Sequence, residues 1–127
     1  LNNVEIWSLV NKTMVAHPFH IHDIQFFILD INGNPPPPQL SGFKDVVLVE
    51  PAQTVRFITK FDDFADDSIP YMYHCHLLHH EDDGMMGSFL VLDTTGTPTA
   101  ITEISTEMNS MNVYQNFTEN EITIKTQ

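Results

Sequence analysis

Basic residues are scarce in this sequence of 127 residues. Five Lys and Arg stand against 17 Asp and Glu, which gives a formal net charge of −12. Because proteins bind nucleic acids through Lys and Arg contacts to phosphate, this balance argues against a nucleic-acid partner. An acidic surface could attract cations, but solubility alone accounts for it, and that is the interpretation we favour.

Cysteine is nearly absent as well. Cys75 is the single cysteine, which excludes a disulfide within the chain. A lone cysteine that is accompanied by seven histidines is more typical of a metal ligand or a nucleophile.

Long apolar runs are also missing. None approaches the roughly 20 residues that span a bilayer, so no membrane segment is predicted. No basic start followed by an apolar stretch marks a secretory signal. The chain begins at Leu1 and enters a strand-like pattern almost at once, as we expect of a piece from within a longer polypeptide. Its apolar fraction of 42% is enough for a folded core.

Short β-branched and aromatic runs separated by turn residues predict an all-β fold, either a sandwich or a Greek-key barrel. About six strands are predicted: Val4–Val10, Ile21–Ile31, Val46–Val49, Thr54–Thr59, Tyr71–Cys75 and Ser88–Leu92. Six strands are few for closing a small barrel, so we expect the first strands to lie upstream of Leu1. Leu77–His80 is predicted to form a single helical turn.

The composition divides the chain at Asp93. Residues 1–93 are predicted to form one domain, and residues 94–127 a linker and the start of a C-terminal tail. Thr94–Asn112 is rich in Thr, Ser, Asn and Glu, which is typical of a linker. A weak strand is predicted at Ile122–Ile124.

All seven histidines lie in two short segments, and scattered core histidines would not cluster in this way. The first segment is His17-Pro18-Phe19-His20-Ile21-His22, and the second runs from His74-Cys75-His76 through His79-His80 to Met85-Met86. Neutral imidazole and thiolate are the main protein ligands for copper and zinc. The sequence therefore predicts metal binding by these segments.

Strand geometry divides the ligands between two sites. In an extended chain residues i and i+2 face one way and residue i+1 faces the other, so His74 and His76 should lie opposite Cys75. Two His-x-His pairs then direct four imidazoles at one place, which suits a multinuclear site.

On its own face Cys75 needs further ligands. His17 and His80 can supply two nitrogens and Met85 a weak axial sulfur, which together form a blue-copper ligand set. Spacing from Cys75 favours Met85 over Met86 as the axial residue. His79 is interpreted as a surface residue.

The two segments resemble the third, C-terminal cupredoxin domain of three-domain multicopper oxidases, the family of laccases and bacterial copper-efflux oxidases. The matching motifs are His17-Pro18-Phe19-His20-Ile21-His22 and His74-Cys75-His76-Leu77-Leu78-x-His80-Glu81-Asp82-x-Gly84-Met85-Met86. The likeness covers about Val4 to Leu92.

The resemblance implies a cupredoxin fold and a role for each ligand. His17, Cys75, His80 and Met85 would hold the type 1 copper. His20 would bind the type 2 copper, and His22, His74 and His76 the type 3 pair. Glu81 matches a position that is associated with proton relay towards the cluster. A small reducing substrate, a phenol or a metal ion, would give single electrons at type 1, and these would pass along Cys75 to the cluster, where dioxygen becomes water.

The resemblance also implies partners. The family's trinuclear cluster needs eight imidazoles, four of them from an N-terminal cupredoxin domain, so this chain alone is expected to be inactive. Metal-oxidising members carry acidic groups near type 1 copper; Asp82 is a candidate for one of these groups, but Thr13 stands where another acid is expected. The family implies a periplasmic or secreted location. The tail from Met111 faintly resembles the start of a C-terminal sorting module of Bacteroidota secretion.

Rival functions share part of this pattern. A stand-alone blue-copper electron-transfer cupredoxin would need the same type 1 ligands, but His20, His22, His74 and His76 would then have no purpose. A zinc protein would have no use for a Met ligand. A copper nitrite reductase is expected to lack the paired histidines around Cys75.

Asn11-Lys12-Thr13 and Asn116-Phe117-Thr118 fit the N-glycosylation pattern, which matters only in a glycosylating host.

Overall fold

The computed structural model describes residues 1–93 and the backbone of strands 111–116 and 121–126. Within these residues the chain forms nine strands, one short α-helix and one turn of 3-10 helix (Pro38–Leu40). The strands are β1 (Val4–Asn11), β2 (His17–Ile21), β3 (Phe26–Ile31), β4 (Val46–Val49), β5 (Thr54–Lys60), β6 (Tyr71–Cys75), β7 (Met86–Phe89), β8 (Met111–Asn116) and β9 (Glu121–Thr126), and the helix is α1 (Leu78–Asp82).

The strands form two sheets, which confirms the all-β prediction. One sheet has the order β3-β5-β1-β9-β8 and the other has the order β4-β2-β6-β7. All pairs are antiparallel except β1 with β9, which is parallel. The strand pair β2 and β6 lies at the centre of the second sheet, and each of the two histidine segments begins on one of these strands.

An aromatic core holds the two sheets together. Trp7 of β1 is 1% exposed and contacts rings from both sheets, with centroids 5.9 Å from Phe57 and 5.2 Å from Phe89. Burying one large apolar side chain contributes about 1.5–3 kcal/mol to folding. The sheet that carries the histidines therefore rests on a packed layer, which fixes the directions of its inward side chains.

The predicted run Ile21–Ile31 is wrong as a single strand. The chain leaves β2 after Ile21 and starts β3 at Phe26, and Asp23 between them has a φ of 64°. Asp is one of the few residues that adopt this left-handed conformation readily, so it permits the turn.

Strand β2 was not among the predicted strands, and its second residue, Pro18, is of a type that is unfavourable in a central strand. In the structure the Pro18 oxygen accepts a hydrogen bond from the N–H of His76 (2.7 Å), just past the last residue of β6. Since the N–H and C=O of a strand residue point to the same side, the missing N–H of Pro18 faces the end of β6 and interrupts no ladder within it.

Val46–Val49 and Tyr71–Cys75 have the predicted bounds, and β1 and β5 each extend one residue beyond the prediction. β7 is Met86–Phe89 where Ser88–Leu92 was predicted, because its pairing with β6 aligns Met86 with His74 and Phe89 with Tyr71. The predicted turn at Leu77–His80 is the start of α1.

The C-terminal tail adds two strands to the first sheet. β8 and β9 pair with each other, and β9 pairs with the edge of β1. The weak strand predicted at Ile122–Ile124 is part of β9, whereas β8 begins at Met111, inside the predicted linker. The rest of that linker, residues 94–110, lies outside the described residues, and the sorting module stays a prediction. Within the described part of the chain, no helix has the length and apolar character needed to cross a membrane.

Candidate metal centres

Strand β6 presents its ligands on opposite faces. Cys75 pairs with Phe19 of β2, and both side chains are buried between the sheets. His74 pairs with His20, so these two side chains share the outer face of the same sheet. The alternation read from the sequence thus divides the ligands into two separate groups.

The first group, which we call the buried cluster, comprises His17, Cys75, His80 and Met85. Cys75 Sγ lies 3.5 Å from His80 Nδ1 and 3.8 Å from His17 Nδ1. The two Nδ1 atoms are 3.2 Å apart. His17, Cys75 and Met85 are 2%, 3% and 5% exposed, so water is largely excluded from this cluster.

The loop after β6 brings Met85 back to Cys75. The Cys75 N–H donates to the Met85 oxygen (2.9 Å), and the Met85 N–H donates to the His80 oxygen (2.9 Å). Gly84 allows this return because its φ is 89°, a conformation that residues with a Cβ rarely adopt. Met85 packs with Cys75 in one buried pair, while Met86 is 40% exposed.

The donor atoms of the buried cluster fit one metal ion. Trigonal coordination with metal–nitrogen bonds of about 2.0–2.1 Å and metal–sulfur bonds of about 2.3 Å places nitrogens roughly 3.6 Å apart and a nitrogen and sulfur roughly 3.8 Å apart. The observed separations of 3.2, 3.5 and 3.8 Å come close to this arrangement. Two imidazoles, a thiolate and a thioether form a set that suits copper.

Burial sets the protonation of these ligands. It lowers the pKa of His17, and a charge on the neighbouring His80 lowers it further, so the ring of His17 is neutral and able to bind a metal. Burial also raises the pKa of the Cys75 thiol, an effect that a hydrogen bond from the backbone of Leu77 partly offsets. A metal that binds here must therefore displace the Cys75 proton.

The second group, which we call the exposed cluster, consists of His20, His22, His74 and His76. The ligand atoms of the first three lie within 4.8 Å of one another, and His22 Nε2 is 3.0 Å from His74 Nε2. The ring centroid of His76 lies 5.4 Å from that of His20 and 5.5 Å from that of His74. Burial, together with charge on His20 and His74, lowers the pKa of His22, which keeps that ring neutral.

Comparison with known proteins agrees with this geometry. A model of the family described as "Multicopper oxidase" matches residues 1–95. The chain belongs to the multicopper oxidase family. Copper is therefore the metal implied for these ligands, and it agrees with the sulfur and nitrogen donors of the buried cluster.

Individual relatives are also described as multicopper oxidases. The multicopper oxidase mco of Staphylococcus haemolyticus is 41% identical over 95 residues, which cover 72% of this chain and 20% of that protein. The solved structure of a laccase-like multicopper oxidase from Ochrobactrum sp. is 43% identical with a TM-score of 0.66, over 72% of this chain and 20% of that one. A Campylobacter jejuni structure described as a metallo-oxidase is 39% identical with a TM-score of 0.64, over 73% and 19%.

These likenesses confirm the cupredoxin-like fold. The chain spans about a fifth of the length of the curated relatives that it matches. What the complete relatives do therefore belongs to a larger protein than this chain.

Hydrogen bonds orient the imidazoles of this multicopper oxidase chain. His20 Nδ1 lies 2.7 Å from the backbone oxygen of Asp45, and His74 Nδ1 lies 3.1 Å from the oxygen of Cys75. A carbonyl oxygen only accepts, so each Nδ1 carries the hydrogen and each Nε2 is left free for a metal. Glu81, predicted as a proton-relay residue, has Oε2 3.4 Å from His74 Nδ1.

Sequence reasoning missed several of these partners. His20 is contacted by the backbone oxygen of Asp45, an atom that every residue type has and that no sequence pattern marks. Thr13 contacts His17, with Oγ1 2.7 Å from Nε2; the resemblance placed Thr13 near the type 1 copper but did not predict this hydrogen bond. The side chain of His79 in α1 is 86% exposed and lies beside Asp83, just past the end of the helix, in agreement with its interpretation as a surface residue.

Proposed function

We propose that this chain is the C-terminal cupredoxin domain of a three-domain multicopper oxidase. Copper bound at the buried cluster would accept single electrons from a small reducing substrate, and copper held jointly by the exposed cluster and an N-terminal cupredoxin domain would reduce dioxygen to water. In this assignment His17, Cys75, His80 and Met85 form the type 1 site. His20 belongs to the type 2 site, and His22, His74 and His76 belong to the type 3 pair.

The observation that carries this proposal is the junction of both clusters on strand β6. Cys75 belongs to the buried cluster, while its chain neighbours His74 and His76 belong to the exposed cluster. The Cys75 side chain and one residue of main chain therefore connect the clusters covalently. A stand-alone electron-transfer protein needs only the buried cluster, so the four imidazoles on the opposite face favour the oxidase.

The surface around the exposed cluster supports a missing partner. The strand register aligns Val46, His20, His74 and Met86 across the outer face of the second sheet. Val46 and Met86 are 39% and 40% exposed. The four imidazoles are only half of the ligand set that the family's cluster needs. Apolar side chains beside them suit docking of another domain, which would supply the remaining imidazoles. The proposed partners are the N-terminal cupredoxin domains of the same oxidase.

Glu81 is proposed to deliver protons to the exposed cluster. Its carboxylate lies 3.4 Å from His74 Nδ1 and is 31% exposed, so it contacts both solvent and a ligand ring. Dioxygen reduction consumes protons, and a carboxylate that bridges water and the cluster can supply them. Cys75 and Glu81 are thus the residues to which we assign catalytic roles.

The proposed substrate is a phenol or a metal ion. The Ochrobactrum relative is described as active on lignin model compounds and lignosulfonate, whereas the Campylobacter relative is described as a metallo-oxidase. Thr13, in place of an acidic side chain beside His17, removes one group that would attract a cation, which favours the phenol. A periplasmic or secreted location is proposed with the family role.

Oxygen uptake with a phenol, compared between this chain and the complete oxidase, tests the proposal. After loading with cupric ion, both proteins should show the intense blue absorption of copper-bound thiolate. Only the complete oxidase should consume oxygen. Uptake by the isolated chain would contradict a cluster shared with another domain, and absence of the blue absorption from both would contradict the type 1 assignment.

A further inference from the structure

We propose that Asn11 and Thr13 are positioning residues that select the tautomer of His17 in which Nδ1 is free to bind copper. The inference rests on the proposed type 1 role of His17. Its support is a hydrogen-bond network between the end of β1 and the start of β2. Asn11, Thr13 and His17 are 1%, 6% and 2% exposed, so protein groups and not solvent determine which ring nitrogen carries the hydrogen.

Asn11 has only one consistent amide orientation. Its Nδ2 donates to the backbone oxygens of Val15 (2.8 Å) and Val49 (2.9 Å). Its Oδ1 accepts from the backbone N–H of Thr13 (2.9 Å). The opposite orientation would set the amide oxygen against two carbonyl oxygens, which cannot donate. Oδ1 therefore faces Thr13.

The Thr13 hydroxyl has one hydrogen and two acceptor sites. Oγ1 lies 2.8 Å from Asn11 Oδ1 and 2.9 Å from the Val15 oxygen, and both of these atoms only accept. The hydroxyl hydrogen must point towards one of them, because otherwise Oγ1 would face two oxygens at short distance with no hydrogen between.

Nε2 of His17 lies 2.7 Å from the same Oγ1. Since the hydroxyl hydrogen is already committed, Nε2 must donate its own hydrogen to Oγ1. The second acceptor site of Oγ1 takes the backbone N–H of Val15 (3.3 Å), so all three hydrogen-bonding positions of the hydroxyl are used. In neutral His17 the lone pair is consequently on Nδ1, the atom that faces Cys75 Sγ and His80 Nδ1.

The second imidazole of the buried cluster, that of His80, has no comparable hydrogen-bond network among the described residues. His80 also directs Nδ1 towards Cys75, but within the described residues no hydrogen bond to its Nε2 is found. The network therefore fixes the tautomer of His17 before a metal binds, whereas the tautomer of His80 would be fixed by the metal. It also explains why Asn11-Lys12-Thr13 is no glycosylation site in the folded chain, because the Asn11 amide is buried and both of its hydrogens are used.

The decisive experiment reads the ring nitrogens of His17 directly. Long-range proton–nitrogen NMR spectra of the metal-free chain, recorded above about pH 7.5 where ordinary imidazoles are neutral, should show His17 protonated on Nε2. Protonation on Nδ1 in the unmodified chain would overturn the inference, whatever the variants do.

Three variants separate positioning from packing. Thr13→Val removes the hydroxyl at nearly constant volume, so it should mix the tautomers and weaken copper binding by about 10–100-fold, the range observed for second-shell partners of metal ligands. Thr13→Ser should restore both properties. Thr59→Val is the matched control, since the Thr59 hydroxyl is similarly buried and donates to the Gln25 oxygen (2.9 Å) instead of contacting a ligand of the buried cluster.

Unchanged tautomer and affinity in Thr13→Val, or an equal loss in Thr59→Val, would refute the inference. If Thr13→Val does not fold, Thr13→Ala takes its place with the same expectation. Failure of the proposed function gives a different result, because the unmodified chain would then bind copper without the blue absorption while the tautomer of His17 would still be as stated.

Discussion

The buried and the exposed cluster differ in whether this chain alone supplies the whole ligand set. The buried cluster draws two imidazoles, a thiol and a thioether from one chain, and all of these side chains except that of His80 are buried. The exposed cluster ends at the surface of the outer sheet face, with four imidazoles and no further ligand from the described residues. This difference agrees with the proposed function, in which the buried cluster would only pass electrons and the exposed cluster would be completed by a second domain.

The two clusters also use different ring nitrogens. In the buried cluster the Nδ1 atoms of His17 and His80 face the thiol. In the exposed cluster backbone oxygens hold the Nδ1 atoms of His20 and His74, which leaves Nε2 for the metal. Hydrogen bonds on the far side of the rings of His17, His20 and His74 thus decide which nitrogen each of them offers.

The largest effect is expected from Cys75→Ser in the complete oxidase, because Cys75 belongs to one cluster and is flanked by ligands of the other. The blue absorption should vanish and oxygen uptake should fall almost to zero, while circular dichroism stays that of the folded protein. Substantial residual uptake would mean that the clusters communicate by another route.

His20→Ala should separate the clusters. Removal of one imidazole from the exposed cluster should lower oxygen uptake by the complete oxidase more than about 100-fold, beyond the cost of losing a second-shell partner. The blue absorption should persist, since the buried cluster is intact. His79→Ala is the matched control, because His79 is an exposed histidine outside both clusters and should leave both readouts unchanged. Loss of the blue band in His20→Ala would show that the clusters are not independent.

Met85→Leu tests the axial ligand of the buried cluster at nearly constant volume. Loss of a donor destabilises the more highly charged cupric ion more than the cuprous ion, so removal of the thioether should raise the reduction potential by about 60–120 mV, one to two tenfold steps in a one-electron equilibrium. Met86→Leu, at the next position but on the exposed face, should leave the potential unchanged. Equal shifts in the two variants would contradict the assignment of Met85. Potentiometric titration of the blue band measures both.

Copper binding to the buried cluster should depend on pH through Cys75. Burial raises the pKa of its thiol, so the proton is present in the metal-free chain and leaves when copper binds. Above about pH 7.5, where ordinary imidazoles are neutral, affinity should rise about tenfold per pH unit until the pH passes the raised thiol pKa. Competition titrations against a chelator measure this slope, and a flat profile would show that the thiol is already ionised.

Much of this comparison could be predicted from the sequence. The alternation of His74, Cys75 and His76 along one strand predicts opposite faces, and β6 has that geometry because its partners in β2 and β7 hold it extended. The loop length from Cys75, with Gly84 at the turn, favoured Met85 over Met86, and Met85 is the buried one. These features depend on neighbours in sequence, where strand periodicity is a reliable guide.

Other features depend on contacts between distant or irregular segments. Pro18 is unfavourable in a central strand, and it is acceptable in β2 only because β6 ends opposite it. The bond from His20 to the Asp45 backbone depends on where the chain enters β4, and any residue type could supply that oxygen. The contact of Thr13 with His17 requires the turn after β1, which no motif specifies.

Titration of the 127-residue chain with cupric ion, followed by visible and EPR spectra, tests the central claim most directly. The first equivalent should give the blue absorption together with a single type 1 signal, and Cys75→Ser should remove both. Further copper should bind the exposed imidazoles without blue absorption and without oxygen uptake. A first equivalent that binds only at imidazoles, with a colourless spectrum, would contradict the claim that this chain carries one complete copper site and half of another.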